Sequence, residues 1–191
     1  MKSKTFIGFI LASIGIASCS SQENLVVMKN DILLVQEGKY LMYKEKRFNG
    51  IVRGYDENIN LKSREEYKEG MLEGLSKTWY PNGMVETERN YHAGDKVGIH
   101  RGWWQNGNSR FEYHFSKGLY DGEFKEWYEN GKPLNIFIYS MGTEEKAIGW
   151  RENGKTYINF VVRDGRKYGL TNARLCYSLK SEEGIYKSVN Q

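Results

Sequence analysis

Residues that bind metals or redox cofactors are scarce in this sequence. Its 191 residues contain two cysteines and three histidines. His92, His100 and His114 show no ligand-like spacing, and copper or haem would require soft or imidazole ligands close together. Catalytic motifs are missing too: there is no nucleophile elbow, Walker loop, zinc-spaced Cys/His set or His-Glu-x-x-His helix. The sequence therefore predicts no catalytic residues, no cofactor and no metal, and a protein that is not an enzyme.

Long aliphatic runs are missing beyond the first 35 residues, which disfavours a large helical core. Proline is rare, with 2 residues, whereas 14 tyrosines, 5 tryptophans and 21 glycines are present. Aromatic side chains must therefore supply much of the buried area, and this content disfavours a disordered chain. The net charge of +4 is too small to suggest binding to nucleic acid, for which a clustered basic face is expected.

The first residues have the pattern of an export signal. A cationic start with Lys2 and Lys4 precedes the uncharged run 6–16, which is too short to span a bilayer permanently. The run ends in Ile-Ala-Ser-Cys at 16–19, which resembles the lipobox of bacterial lipoproteins. The resemblance implies that residues 1–18 are a signal peptide and that Cys19 is alkylated with diacylglycerol.

Lipidation at Cys19 has consequences for location and for the remaining thiol. Two or more acyl chains give stable membrane anchoring, so we expect residues 19–30 to be a lipidated cysteine followed by a tether. Ser20 in place of aspartate favours onward transport to the outer membrane, by resemblance to enterobacterial sorting. We therefore expect a lipid-anchored protein of the bacterial cell envelope. With Cys19 consumed, no internal disulfide is expected, and Cys176 is predicted to be a small buried apolar residue.

The strongest signal is an internal repeat of about 24 residues. Glycines, Asn-Gly pairs and tryptophans recur in one common register between residues 48 and 165. The three columns are Gly70, Gly94, Gly118, Gly142 and Gly165; the pairs starting at Asn82, Asn106, Asn130 and Asn153; and Trp79, Trp103, Trp127 and Trp150. A fourth column, which consists of Gly50, Gly74, Gly98 and Gly122, has the same spacing.

Each unit is interpreted as a β-hairpin. Asparagine and glycine both tolerate positive φ, so the Asn-Gly pair favours a tight turn between two strands. In the second strand, Phe111, Tyr113 and Phe115 alternate with the polar residues Glu112 and His114, a pattern typical of a half-buried strand. The predicted fold class is all-β: an elongated array of β-hairpin repeats.

The ends of the array are predicted to be caps. Residues 31–47 fit an opening hairpin cap, and residues 166–191 lose the pattern and are predicted to form a divergent carboxy-terminal cap. Ile136 and Ile138 are apolar on the face opposite Phe137, which suggests that both faces of that strand are covered. Either the carboxy-terminal tail packs there, or a partner covers an exposed apolar patch.

These residues carry a family resemblance. The pattern of glycine, four residues, Trp-Tyr, one residue, Asn-Gly, seven residues, tyrosine, two residues and glycine is similar to the bacterial variant of the MORN repeat. Proteins of this kind include the YwqK-type antitoxins of toxin–antitoxin systems. The resemblance covers residues 48–165, and it implies a ribbon of successive β-hairpins without a catalytic site.

The predicted function is therefore binding. An extended hairpin ribbon with aromatic anchors suits protein recognition, so we expect a membrane-anchored scaffold lipoprotein with a protein partner. Trp104 replaces the tyrosine found at positions 80 and 128 and, with Arg101 nearby, is the candidate partner contact. Two alternatives remain: an antitoxin or immunity protein, and binding to lipid head groups or cell-wall polymer. The sequence does not identify the partner or the oligomeric state.

Overall fold

The computed structural model describes residues 25–171, which contain strands and turns only. The all-β fold class predicted from the sequence is confirmed. Seventeen strands follow one another along this part of the chain. They are β1 Val26–Met28, β2 Leu34–Glu37, β3 Tyr40–Tyr43, β4 Lys46–Arg47, β5 Gly50–Tyr55, β6 Leu61–Lys68, β7 Met71–Leu72, β8 Gly74–Trp79, β9 Val85–His92, β10 Asp95–Lys96, β11 Gly98–Trp103, β12 Ser109–Ser116, β13 Leu119–Trp127, β14 Pro133–Ser140, β15 Thr143–Trp150, β16 Thr156–Arg163 and β17 Arg166–Leu170.

Fourteen of these strands form a single sheet whose order closely follows the chain. Along its main path the order is β1-β5-β6-β8-β9-β11-β12-β13-β14-β15-β16-β17. The short strands β7 and β10 pair with β6 and β9, and β2-β3-β4 form a separate small sheet. At the usual interstrand spacing, twelve strands extend over about 50 Å. The predicted elongated array of hairpins is therefore present.

Consecutive hairpins are connected by two-residue turns, and the second residue of each turn is a glycine of the first column. Both turn residues have positive φ, as a type I′ turn requires. The first residue of each turn has a φ between 44° and 51°, although none of these residues is glycine. They are Glu69, Ala93, Lys117, Met141 and Asp164. These tight turns set the strand register at one edge of the array.

The Asn-Gly pairs lie in longer loops of three residues closed by a bulge. Gly83 N–H donates to the Tyr80 carbonyl at 2.9 Å, and Tyr80 N–H donates to the Met84 carbonyl at 2.9 Å. Gly83 has a φ of 81°, but Asn82 does not have positive φ. Instead, its side-chain oxygen accepts a hydrogen bond from Met84 N–H at 3.1 Å. The expectation of a tight Asn-Gly turn is thus corrected: asparagine stabilises the loop as a side-chain acceptor.

Adjacent repeats are joined by hydrogen bonds as well as by strand pairing. The turn glycines Gly94 and Gly118 donate their N–H to a carbonyl of the preceding unit: Gly94 to Leu72 at 2.9 Å and Gly118 to Lys96 at 2.9 Å. At the other edge, the Tyr80 hydroxyl donates to the Trp103 carbonyl at 2.9 Å. Hydrogen bonds therefore join adjacent repeats both at the two-residue turns and near the Asn-Gly loops.

Glycines of the fourth column lie directly opposite aromatic residues. Gly98 pairs with Phe115 in the β11–β12 register, and Gly74 pairs with Tyr91 in the β8–β9 register. The glycine column and the aromatic column therefore lie in cross-strand register along the array. The same pairing joins Gly50 to Tyr67 and Gly122 to Tyr139.

The opening end contains a cluster of buried hydrophobic residues. Val27, Phe48 and Val52 are buried, and Leu34 and Leu41 of the small sheet pack against them. Strand β1 lies within the segment 19–30 that was predicted to be a tether, and it pairs in parallel with β5. It forms a strand because the buried Val27 side chain fills the space beside Phe48 and Val52.

Other sequence predictions concern the two ends of the chain. The signal peptide, Cys19 and Cys176 lie outside the described residues, as does most of the predicted closing cap. The first part of that cap, β17, pairs with β16. Ile136 and Ile138 are half-buried in the part of the chain that the structure describes, and the tail proposed to cover them is not part of it. Between residues 25 and 171, no helix is long and apolar enough to cross a membrane.

Candidate binding site

The long sheet has two chemically different faces. On one face, which we call the aromatic face, Phe111, Tyr113, Phe124, Phe137 and Phe160 follow one another across adjacent strands. On the other, which we call the charged face, Lys77 lies opposite Glu88 and Arg101 opposite Glu112. The difference arises because neighbouring residues of a strand point to opposite sides.

Aromatic rings are packed continuously across the aromatic face. The rings of Tyr113 and Phe124 are stacked with centroids 3.8 Å apart, and Phe124 meets Phe137 edge-on at 5.6 Å. A second row runs from His100 to Phe115 at 4.5 Å and on to Tyr120 at 4.7 Å. Such pairs contribute roughly 0.5–1.5 kcal/mol beyond their burial. They supply the packing that aliphatic residues supply elsewhere.

A cleft of about 410 Å³ lies on the aromatic face around Tyr113, and we call it the cleft. Its floor consists of His100, Phe111 and Phe115, which are only 2%, 8% and 8% exposed. Half-buried rings form its walls, and three exposed cationic side chains form its rim. The wall rings are Trp104, Tyr113, Tyr120 and Trp127, and the rim cations are Arg89, Lys96 and Arg110.

Two of the rim cations contact aromatic rings, whereas Lys77 and Arg101 on the charged face contact carboxylates. Lys96 Nζ lies 5.2 Å from the centre of the Phe115 ring, and the Arg110 guanidinium lies 5.1 Å from the Trp104 ring. Within residues 25–171, neither these two nor Arg89 forms an ion pair. The rim therefore presents uncompensated positive charge next to aromatic surface, since cation–π contacts leave the charge in place.

One carboxylate lies in the cleft, and it is engaged by two donors. The Tyr113 hydroxyl donates to Glu126 Oε1 at 2.8 Å, and Asn135 Nδ2 donates to Glu126 Oε2 at 2.9 Å. Burial raises the pKa of Tyr113, and the hydrogen bond to Glu126 raises it further. Tyr113 thus stays a neutral donor, and its ring is held in place by Glu126.

The imidazole of His100 belongs to the floor of the cleft. Its Nε2 donates to the Asn90 carbonyl at 2.8 Å. Burial lowers the pKa of His100 below its usual value, and the positive charges of Arg89 and Lys96 lower it further, although the bond to Asn90 acts in the opposite direction. The ring is therefore neutral at pH 7 and contributes no charge to the cleft.

The two contact residues predicted from the sequence lie on different faces. Trp104 lines the cleft, where its Nε1 donates to the Trp127 carbonyl at 3.1 Å. Arg101 follows His100 in β11 and so points to the charged face, where its Nε donates to Glu112 Oε2 at 2.9 Å. Trp104 and Arg101 therefore do not share a surface.

Sequence reasoning did not find the cations that accompany Trp104. Position 89 is arginine in its unit, whereas the corresponding positions in neighbouring units are Glu65, Tyr113 and Phe137. This column has no common residue type, so the repeat pattern gave no signal that Arg89 lines a cleft. In the described part of the chain, no group of three His, Cys, Asp or Glu side chains could hold a metal ion.

Comparison with known proteins agrees with this geometry. The family model described as MORN repeat variant matches residues 72–93 and 120–140. The chain contains MORN repeat variants at two places. Each matched segment comprises a strand, an Asn-Gly loop and a second strand, β8–β9 in one case and β13–β14 in the other. No curated protein is detectably similar to the chain.

MORN repeats are generally modules that bind membranes or proteins, and the family is not catalytic. A binding scaffold is consistent with that role. The hairpin between the two matched segments, β11–β12, has the same loop and register type, and it supplies much of the cleft: Phe111, Tyr113 and Phe115. The lining of the cleft is thus centred on the unit between the two MORN matches.

Proposed function

We propose that this protein is a non-catalytic scaffold of the bacterial cell envelope, anchored through lipid on Cys19, that binds a protein partner on its aromatic face. The observation that supports this proposal most directly is the cleft. Buried rings form its floor, half-buried tyrosines and tryptophans its walls, and exposed arginines its rim. Tyrosine, tryptophan and arginine are the residues enriched where proteins bind one another most tightly.

Site-specific crosslinking in the protein's own cells tests this function. A photoreactive amino acid at Leu134, which lines the cleft, should capture one stoichiometric envelope protein. The matched control places it at Leu75, a half-buried leucine of the charged face, where that product should be absent. Equal capture at both positions, or no protein adduct at Leu134, would refute protein binding on the aromatic face.

Two alternative functions give different results in the same cells. An antitoxin or immunity protein should restore growth when it is co-expressed with a toxin encoded next to it. A protein that binds lipid head groups or cell-wall polymer should give adducts at Leu134 that contain lipid or glycan and no polypeptide. Outer-membrane location is proposed from Ser20 and is measured by separating the two membranes and detecting the chain in each.

A further inference from the structure

We propose that the cleft binds an extended acidic segment of the partner protein. Carboxylates of this segment pair with Arg89, Lys96 and Arg110, and an apolar side chain packs between them on the ring floor. This inference rests on the proposed function, which it makes more specific by assigning the chemistry of the partner. The first reason is charge complementarity.

The rim carries three exposed cations, and the lining of the cleft contains a single carboxylate. Glu126 is that carboxylate, and its two oxygens already accept hydrogen bonds from Tyr113 and Asn135. His100 is neutral for the reasons given above. The cleft therefore attracts negative charge, and a peptide carboxylate would find partners that need not leave another ion pair.

The charged face shows that this arrangement is specific to one side of the sheet. There, Lys77 Nζ lies 2.6 Å from Glu88 Oε1, and Arg101 Nε lies 2.9 Å from Glu112 Oε2. Lys77 and Arg101 are thus compensated within the chain, because oppositely charged residues lie in cross-strand register. The three cations of the cleft rim form no ion pair within residues 25–171 and can therefore pair with an external anion.

The dimensions of the cleft favour an extended segment. Its lining residues come from the neighbouring strands β9, β11, β12, β13 and β14 and the segments beside them. Five strands at the usual spacing span about 19 Å, which corresponds to about six residues of extended chain. Arg89 lies on the outermost strand β9 and Arg110 on the central strand β12, and buried rings of β11 and β12 lie beside them, so a segment crossing the strands can pair with both cations and place an apolar side chain on the rings.

Selection from a random-sequence peptide library on the full-length protein tests the inference. Peptides retained by the protein should be enriched in aspartate, glutamate and apolar residues, and their binding should weaken as salt is added. The absence of acidic enrichment, or the absence of any retained peptide, would overturn the proposal. The proposed function would survive either result if the crosslink at Leu134 still captured an envelope protein.

Two triple variants assign the selected peptides to one face. Arg89→Gln, Lys96→Gln and Arg110→Gln together should weaken the affinity about tenfold, as expected for three exposed charge pairs. The control variant removes the same charge from the charged face. It combines K77Q, R101Q and K125Q, and it should leave the affinity unchanged. An equal loss in both variants would show long-range charge attraction only and would contradict the cleft as the site.

The other possible occupants of the cleft are distinguished by two further measurements on the same variants. Flotation with vesicles of phosphatidylglycerol reports lipid binding, and sedimentation of the purified protein reports self-association. If the cleft variant loses vesicle binding or self-association while the selected peptides show no acidic bias, the occupant is a lipid or a second copy. The acidic-peptide proposal would then be wrong.

Discussion

Replacing Gly102 with alanine tests how closely the floor of the cleft is packed. Gly102 lies directly opposite Phe111 in the register of β11 and β12. A Cβ at Gly102 would lie 2.7 Å from Phe111 Cδ1 and Cζ, and closer still to Cε1. The backbone of Gly102 is not in the left-handed region, so alanine is compatible with its conformation. The cost is therefore steric, and overpacking of this kind typically costs about 1–3 kcal/mol.

The magnitude can be isolated with a double-mutant cycle. We expect Gly102→Ala to lower the free energy of unfolding by about 2 kcal/mol and Phe111→Ala to lower it by about 3 kcal/mol. In the Phe111→Ala background no ring obstructs the new methyl group. There, Gly102→Ala should be neutral or should stabilise by about 0.5 kcal/mol, because alanine loses less backbone entropy on folding than glycine.

Urea unfolding followed by tryptophan fluorescence measures this cycle, since Trp103 is the last residue of the strand that carries Gly102 and Trp104 follows it. Gly98→Ala is the control, because a Cβ there meets nothing within 4 Å and the residue has a φ of +63°. Its cost comes from the backbone and should be the same with and without the Phe111 ring. If Gly102→Ala costs equal amounts in both backgrounds, the packing argument is wrong.

Three further outcomes are expected. Ile59 is 81% exposed and has a φ of 64°, at a position where later units have glycine. Ile59→Gly should raise the free energy of unfolding, measured in urea, by about 0.5–1 kcal/mol, because the relief of left-handed backbone strain exceeds the entropy that glycine loses on folding. Burial lowers the pKa of His100, so the stabilisation contributed by its neutral ring is present above the unfolded pKa of about 6.5 and is lost as the pH falls through the folded pKa. Urea midpoints between about pH 8 and pH 5 should therefore fall less in His100→Gln than in the wild type, and an equal fall would contradict this reasoning. Labelled palmitate should be incorporated into the protein and into Cys176→Ala but not into Cys19→Ala; incorporation into Cys19→Ala would exclude this anchor.

The repeat architecture could be predicted because it depends on residues with unusual backbone requirements. Glycine is favoured wherever φ is positive, so the spacing of glycines along the sequence indicates where the turns lie. The assignment of turn types was less accurate. Asn82 accepts a hydrogen bond from Met84 N–H, whereas the tight turns accept residues as large as Met141 at positive φ. The preference of glycine for positive φ does not by itself show which turns have two residues and which have three.

The cleft could not be predicted because its residues are brought together by register between strands. Arg89 in β9 and His100 in β11 are neighbours only because the two strands pair at Glu88 and Arg101. The sequence showed that Trp104 departs from a tyrosine column, and the structure places it in the cleft. Arg101, three residues before it, lies on the other face, because proximity in sequence does not determine the side of a strand.

Bonding between turns has a consequence for how such a chain can change in length. Gly118 N–H donates to the Lys96 carbonyl, and Gly94 N–H donates to the Leu72 carbonyl, so these bonds join each unit to its immediate neighbours in the array. Gene duplication or loss of a whole unit would rejoin equivalent ends, and stability would change by a nearly constant increment. Insertion of a few residues would instead break the match between successive edges. The length of the array can thus change in steps of one unit, without altering the residues that line the cleft.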